Sequence, residues 1–482
     1  MFEISFWLMI QNLLVNIFLP LIPGIIFLWI FYNDKFKGIL LYILSWFIWV
    51  GVVAFAIFNL QFVYYGIWIK EYFIILWLLI IWFIIKIFYQ KLSIQKYIRT
   101  LKIKNIYPDI KYSFWSLSKI EKKFTIIISI FVGLFMINTF IFNISFPTYW
   151  DDSFGNRNTP AYNIYQDEWI KFFGEKNEIL WRWRLGYPIY ISIYKAVISD
   201  FVGFNDIYIN IWQWFIFLGL LLFVFNITFQ KTKNIFYSLI PLWLIISLPL
   251  VFFHAVEWYM ELASAAYSII AIWAFLNYLE KRDYPYISIG LLSLFILSYI
   301  KNDWFIVYLP GILMSLFIVL VWQKDFKEQI LWFFKKWYNW LISVLYFLFF
   351  FLPFLIIKNY YNLWFNQAAW SESGVWISKT IHREIFSTFK NIFLQMDNYN
   401  TVFIILALII LIFIQTKKVM SPWKKFLIYA PLIILIILIL VFLLTENYMF
   451  VLNQTTVNRV FTMVFVLLFG FSWYIFADKW NE

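Results

Sequence analysis

Apolar residues run in long blocks from one end of the chain to the other, separated by short stretches where charge collects. Crossing a hydrocarbon core about 30 Å thick takes roughly 18–25 apolar residues in a helix, because each residue advances only about 1.5 Å. Blocks of that kind lie near 5–31, 38–60, 71–90, 124–146, 207–229, 235–253, 259–279, 287–300, 304–322, 340–357, 401–415, 426–445 and 459–476. The pattern predicts an all-α polytopic membrane protein with about thirteen transmembrane helices. The blocks 287–300 and 401–415 are short, which predicts broken or re-entrant helices facing a cavity rather than lipid. The block 5–31 is too long for a signal peptide and is preceded only by Glu3, with no basic region, so it is expected to stay in the membrane.

The polar stretches alternate in sign along the chain. Segment 86–123 carries Lys86, Lys91, Lys96, Arg99, Lys102, Lys104, Lys111, Lys119, Lys122 and Lys123 against Asp109 and Glu121, which marks it as cytoplasmic by the positive-inside rule. Alternation then puts the loops holding Lys35/Lys37, Lys231/Lys233, Lys281/Arg282, Lys324/Lys327/Lys335/Lys336 and Lys417/Lys418/Lys424/Lys425 on that same side. Two long loops, 147–206 and 358–400, fall on the opposite side and are acidic or mixed. The first is studded with Trp169, Phe172, Phe173, Trp181, Trp183 and Tyr187, residues that favour a bilayer interface, and juxtamembrane helices lying along the surface are expected near 160–173 and 187–198. A boundary near 123 divides the chain into 1–123, N-terminal spans plus the basic loop, and 124–482, which holds every polar constellation.

Composition narrows the function classes. Of 482 residues, 64% are hydrophobic and only 13% charged, which excludes a water-soluble globular class. The net charge of +12 sits in loops beside spans, so it reads as orientation in the membrane and not as a nucleic-acid surface. With no cysteine, disulfides, thiolate metal sites and cysteine nucleophiles are excluded. Neither a phosphate-cradling glycine loop nor a Walker lysine is present, so energy for any reaction would come from an activated donor.

Candidate chemistry gathers on the outward side. Asp151 and Asp152 follow the aromatic anchor Phe146-Pro147-Thr148-Tyr149-Trp150, directly where the chain leaves the bilayer. A carboxylate at a low-dielectric edge can serve as general base toward a hydroxyl while its neighbour orients, although the pair can equally cap a helix or solvate a loop. Arg182, Arg184, Lys301 and Arg459 can hold a phosphate or pyrophosphate, or simply snorkel to the interface. Of these Lys301 carries most weight, being a cation on the side that the positive-inside rule disfavours. His254, Glu257 and Glu261 lie at i, i+3 and i+7, one face of a helix entering the membrane. One histidine with two acids is a weak metal motif, so hydrogen bonding to sugar hydroxyls or positioning of Lys301 stands beside a purely structural polar face. Adjacent aspartates are not an Asp-x-Asp motif, and no divalent ion or other cofactor is expected.

These elements, in their order and sidedness, resemble the GT-C superfamily of membrane glycosyltransferases over roughly 124–476. Trp150-Asp151-Asp152 is similar to the acidic element of that family's first outer loop, and Gly186-Tyr187-Pro188-Ile189-Tyr190 to its Tyr-Pro element opening an amphipathic helix. Val202-Gly203-Phe204-Asn205-Asp206 looks like its Gly-x-Asn turn. Glu257-Trp258-Tyr259-Met260-Glu261-Leu262 resembles a Gly-Tyr-Ala-Asp-Leu element, with Trp258 and Glu261 departing from the usual Gly and Asp. Lys301-Asn302-Asp303-Trp304 resembles Lys-Asn-Glu-Gly, with Trp304 for Gly, and Asn458-Arg459 the start of a late helix.

The resemblance implies a GT-C-like fold and inverting transfer of a sugar from a polyprenyl-phosphate donor to a lipid, glycan or protein acceptor. Asp151 would be the base and Asp152 its alternate or orienter. Lys301, Arg184 and Arg459 would hold the lipid phosphate, and Glu257 and Glu261 would shape the sugar pocket, with Arg182, Tyr187, His254 and Asp303 beside them. The partners expected are the donor, the acceptor and membrane lipids, and the place is the plasma (inner) membrane with the site facing outward. Two rivals remain: an O-antigen ligase or polymerase-like enzyme relying on outer-loop arginines and histidine, and a transporter or flippase of lipid-linked intermediates. A flippase would carry charge near mid-span, whereas here charge clusters at the outer boundary.

Overall fold

The computed structural model describes residues 6–63, 68–90, 94–102, 106–146, 158–167, 190–256, 260–300, 302–321, 328, 337–360, 382–391, 425–445, 448–452 and 457–476. Among these residues the regular structure is helical throughout, with no strand. Among the described residues seven helices are long and apolar enough to cross a membrane, or eight if one bent pair is a single span. The chain is therefore a polytopic membrane protein. Apolar blocks at 284–297, 307–321, 343–356 and 457–472 form shorter helices, while the block at 401–415 lies outside the described residues. The bent pair is 235–253 of the sequence reading: Ile235–Ile246 and Leu250–Val256 meet at 83° around Ser247 and Leu248.

The chain forms two compact units, one made of Met1–Arg182, Pro188–Leu239 and Ala255–Tyr259, the other of Trp183–Tyr187, Ile240–His254 and Met260–Glu482. In the first unit, α1 (Phe6–Tyr32) and α2 (Gly38–Val63) form a close antiparallel pair against which α3 (Trp68–Tyr89) packs. The pair can approach closely because Gly24 faces the α2 backbone, where an added Cβ would lie 2.1 Å from the Ser45 carbonyl oxygen.

Two prolines inside α1 would each leave a carbonyl without its helical donor, since proline has no N–H to reach back four residues. Pro20 frees the Asn16 carbonyl, which accepts from Trp46 Nε1 of α2 at 2.8 Å. Pro23 frees the Leu19 carbonyl, which accepts from the Tyr72 hydroxyl of α3 at 2.6 Å. The breaks in the helical ladder thus become its bonds to its neighbours.

At the other end of the pair the basic segment is folded and docked. Helix α4 (Ile94–Leu101) buries Tyr97 and Thr100, and Thr100 Oγ1 accepts from Trp29 Nε1 at 3.0 Å. Lys96 meets Asp34 at 3.0 Å, with Lys37 at 3.9 Å on the same carboxylate. Partial burial pushes the Asp34 carboxyl up, but the Lys96 hydrogen bond, a backbone bond and the two ammonium charges together outweigh it and hold the carboxyl below its usual range. Lys86 Nζ donates to the carbonyls of Trp29, at 3.0 Å, and of Ile30, near the negative end of α1.

After α5 (Ile106–Ser116), helix α6 (Lys119–Ser145) opens on a capping box: Ser118 Oγ accepts from the Glu121 N–H, and Glu121 Oε2 from the Ser118 N–H. Its apolar side chains, including Ile127, Ile130 and Leu134, stay exposed, as they do on α3 at Trp77, Trp82 and Phe88, which suits surfaces facing hydrocarbon. Two helices occur in the described parts of the first long loop, α7 (Thr159–Asp167) and α8 (Tyr190–Val202). They fall where juxtamembrane helices were expected, but α8 does not lie as a half-exposed surface helix. Every residue from Tyr190 to Ser199 is buried, and the helix packs on α1, α2, α3 and α7. A 3-10 turn, Tyr208–Asn210, then leads into α9 (Ile211–Thr232), which packs on α2 and α6.

The bent pair is α10 (Ile235–Ile246) and α11 (Pro249–Val256), of which residues 240–254 belong to the second unit. The central element is α12 (Glu261–Lys281), buried from Glu261 through Leu279. Its small residues, Ala263, Ser264, Ala265, Ala266 and Ser268, suit close approach by neighbouring helices, and it packs on α13 (Tyr284–Ile300) and on the last helix, Val457–Phe476. Helix α14 (Asn302–Val321) is followed by α15 (Trp337–Tyr346), which passes through a π-helical turn at Phe347–Phe351 into α16 (Leu352–Tyr360). The short α17 (Ile385–Lys390), α18 (Lys425–Leu444), the short α19 (Tyr448–Leu452) and α20 (Val457–Phe476) complete the unit. Gly311 brings α14 onto α18, where an added Cβ would meet Ile434 Cγ1 at 2.6 Å.

Candidate functional site

Of the residues singled out from the sequence, His254, Glu261 and Arg459 have described side chains. Asp151, Asp152, Arg182, Arg184, Tyr187, Glu257 and Lys301 lie outside the described residues, and Asp303 is described only as backbone in the first turn of α14. His254 lies in the last turn of α11 and is buried.

Glu261 and Arg459 come together in the second unit. Glu261 stands in the first turn of α12 and Arg459 in the first turn of α20, two helices that pack against each other. Leu262 and Ala265 of α12 and Val460, Phe461 and Val464 of α20 are closed to solvent. The packing of the two helices carries the two polar residues to the same end. Arg459 Nε lies 3.7 Å from Glu261 Oε1, with the Glu261 side chain 2% exposed and the Arg459 side chain 19% exposed. This is an ion pair longer than a hydrogen bond. The carboxylate also sits at the N-terminus of α12, where the helix dipole favours negative charge. Glu261 therefore keeps a guanidinium at the helix entrance, with Nε buried and the Arg459 side chain as a whole partly exposed, an arrangement able to bind a phosphate oxygen.

Two further polar constellations were not picked out by sequence reasoning. In the second unit, His382 Nδ1 lies 3.0 Å from Glu384 Oε1, and its ring stacks on Tyr448 with centroids 3.6 Å apart and planes 4° from parallel. The His382 N–H donates to the Leu443 carbonyl at 3.1 Å. The backbone and His382 bonds hold the exposed Glu384 carboxyl below its usual range. Separation in sequence hid this link to Tyr448.

In the first unit, the fully buried Lys195 donates to Asn158 Oδ1 at 2.7 Å and to Asn210 Oδ1 at 3.3 Å. Asn158 Nδ2 donates to Asp206 Oδ1 at 3.4 Å, and Asn210 Nδ2 to the Asp206 carbonyl. Burial pushes the Asp206 carboxyl up, against the Lys195 charge and the Asn158 bond, which pull it down. A signal existed here: Lys195 is a lone cation within the otherwise uncharged run 189–198.

Among the described residues no group of three or more histidine, aspartate and glutamate side chains stands together as a metal site. No protein family, no curated protein and no solved structure matches the chain.

Proposed function

We propose that the protein is a GT-C-like membrane glycosyltransferase with about thirteen spans, acting on the extracytoplasmic face of the inner membrane. It moves a sugar from a polyprenyl phosphate to a hydroxyl of an acceptor. Asp151 takes the acceptor proton as the acceptor oxygen bonds to the anomeric carbon. The bond from that carbon to the phosphate oxygen breaks with inversion, and the polyprenyl phosphate leaves with the electron pair. Asp152 orients the base or replaces it. Arg459, Lys301 and Arg184 neutralise the leaving phosphate, Glu257 binds sugar hydroxyls, and the buried Glu261 shapes the pocket by holding Arg459.

The observation that carries this reading is the Glu261–Arg459 pair. Two elements distant in sequence, each resembling a different part of the family pattern, meet at one end of two packed helices. The test is release of polyprenyl phosphate from a panel of polyprenyl-phosphate sugars by the purified protein. Asp151→Asn should abolish release. If release survives both that change and Asp152→Asn, no aspartate serves as base.

A second reading draws support from the His382–Glu384 pair, because a ligase-like enzyme would rely on an outer-loop histidine oriented by a carboxylate. It is favoured if His382→Ala abolishes transfer while Asp151→Asn leaves it intact.

A further inference from the structure

Tyr112 and Trp115 are 79% and 64% exposed on α5, within the basic segment that the loop charges mark as cytoplasmic. The helix is nonetheless anchored. Ser113, and Leu117 just beyond its end, are buried, and Ser113 Oγ accepts from the Ile235 N–H at 2.8 Å. One side thus fixes α5 to the fold, and Lys111, Tyr112 and Trp115, at i, i+1 and i+4, are left outward.

The first turn of α6 stands beside that outward side, because Lys122 Nζ lies over the Trp115 ring, 5.3 Å from its centroid. Lys119 and Lys123 are exposed there, four residues apart on one face. Two acids, Asp109 and Glu121, stand against Lys111, Lys119, Lys122 and Lys123, so the patch stays positive. Glu121 is moreover engaged in the capping box, where it accepts from the Ser118 N–H.

From these lysines an apolar stripe runs along α6. Ile120, Phe124, Ile127, Phe131 and Leu134 recur at i, i+4, i+7, i+11 and i+14, and all are exposed. From Ile120 to Leu134 the helix advances about 21 Å, more than the roughly 15 Å of hydrocarbon in one leaflet. A soluble acidic protein or a nucleic acid can meet the lysines but cannot follow the stripe into hydrocarbon. A phospholipid with a negative headgroup meets both.

We propose that this face binds an anionic phospholipid of the bilayer, with its phosphate at Lys119 and Lys123, Trp115 at headgroup level and an acyl chain along the α6 stripe. The patch lies at the end of α6 opposite the one that leads into loop 147–206. The lipid is therefore not the proposed sugar donor, and the site stands without the transferase reading.

The chain has no cysteine, so one fluorophore can be attached at a single introduced cysteine of the full-length protein. Ile130→Cys, exposed beside the stripe, reports on lipid at the site, and Leu78→Cys, exposed on α3, reports on lipid elsewhere. Each labelled protein goes into phosphatidylcholine nanodiscs holding a fixed minor fraction of chain-brominated lipid, either phosphatidylglycerol or phosphatidylcholine, because bromine quenches only at contact. Quenching at 130 should show brominated phosphatidylglycerol binding about fivefold or more tighter than brominated phosphatidylcholine, with no preference at 78. Lys119→Gln with Lys123→Gln should bring the two lipids within about twofold at 130 and leave the thermal midpoint in pure phosphatidylcholine unchanged. Equal quenching at 130 by the two lipids overturns the proposal and leaves the lysines to orientation or to a protein partner. A preference that survives the double substitution, or that appears equally at 78, also overturns it, since the headgroup would then not rest on these lysines.

Discussion

At the scale of single residues, the pairing of Glu261 with Arg459 has a cost if only one partner is removed. Arg459→Ala takes away the cation beside a carboxylate that is almost wholly buried, a change expected to destabilise by on the order of 3 kcal/mol. Adding Glu261→Gln should recover much of that loss, because a neutral amide no longer needs the cation. A double-mutant cycle by thermal unfolding in detergent measures the coupling, and additive effects would show the pair to be energetically idle. Asp34 gives a pH signature. Its carboxyl is held below the ordinary 3.8 in the folded chain, so its contribution is present above that value and is lost as pH falls through the folded value. The side chain is partly exposed, which limits the contribution to about 1 kcal/mol or less. Lys96→Met should flatten the acid limb of the stability profile, and an unchanged limb would refute the assignment.

At the scale of elements, the prolines of α1 are tied to α2 and α3 by one hydrogen bond each. Tyr72→Phe keeps the ring and Trp46→Phe puts a smaller aromatic ring in place of the indole, and both leave the Asn16 and Leu19 carbonyls without those donors, which should cost about 1–3 kcal/mol apiece. Thermal midpoints of the two variants check this, and unchanged midpoints would mean that another group satisfies both carbonyls. Helix positions were legible in the sequence because span length and apolar runs are set by the thickness of hydrocarbon. The apolar runs 38–60, 259–279 and 426–445 overlap the helices Gly38–Val63, Glu261–Lys281 and Lys425–Leu444. Partners across helices were not legible. Nothing in the local pattern says that Trp46 reaches Asn16 or that Tyr72 reaches Leu19, since those bonds depend on how helices cross. The burial of α8 was missed for the same reason: its aromatic and isoleucine residues suit a membrane interface as well as a core.

At the scale of the whole molecule, the candidate site was legible only in part. Residue type and sidedness pointed to Glu261 and Arg459 separately, and their contact came from the packing of α12 on α20. Lys195 escaped notice because a single lysine in an uncharged run resembles an interfacial anchor until its acceptors, Asn158 and Asn210, are seen around it. The chain is a polytopic membrane protein, and its proposed chemistry turns on an acid next to a membrane edge with basic groups for a leaving phosphate. The most direct measurement is release of polyprenyl phosphate by the protein in lipid nanodiscs, with wild type and Asp151→Asn compared across a panel of polyprenyl-phosphate sugars. At least one donor should lose its sugar to an acceptor in wild type, with release falling by about a thousandfold or more in Asp151→Asn. Equal release by the two proteins, or transport of intact donor across the bilayer without cleavage, would contradict the proposal.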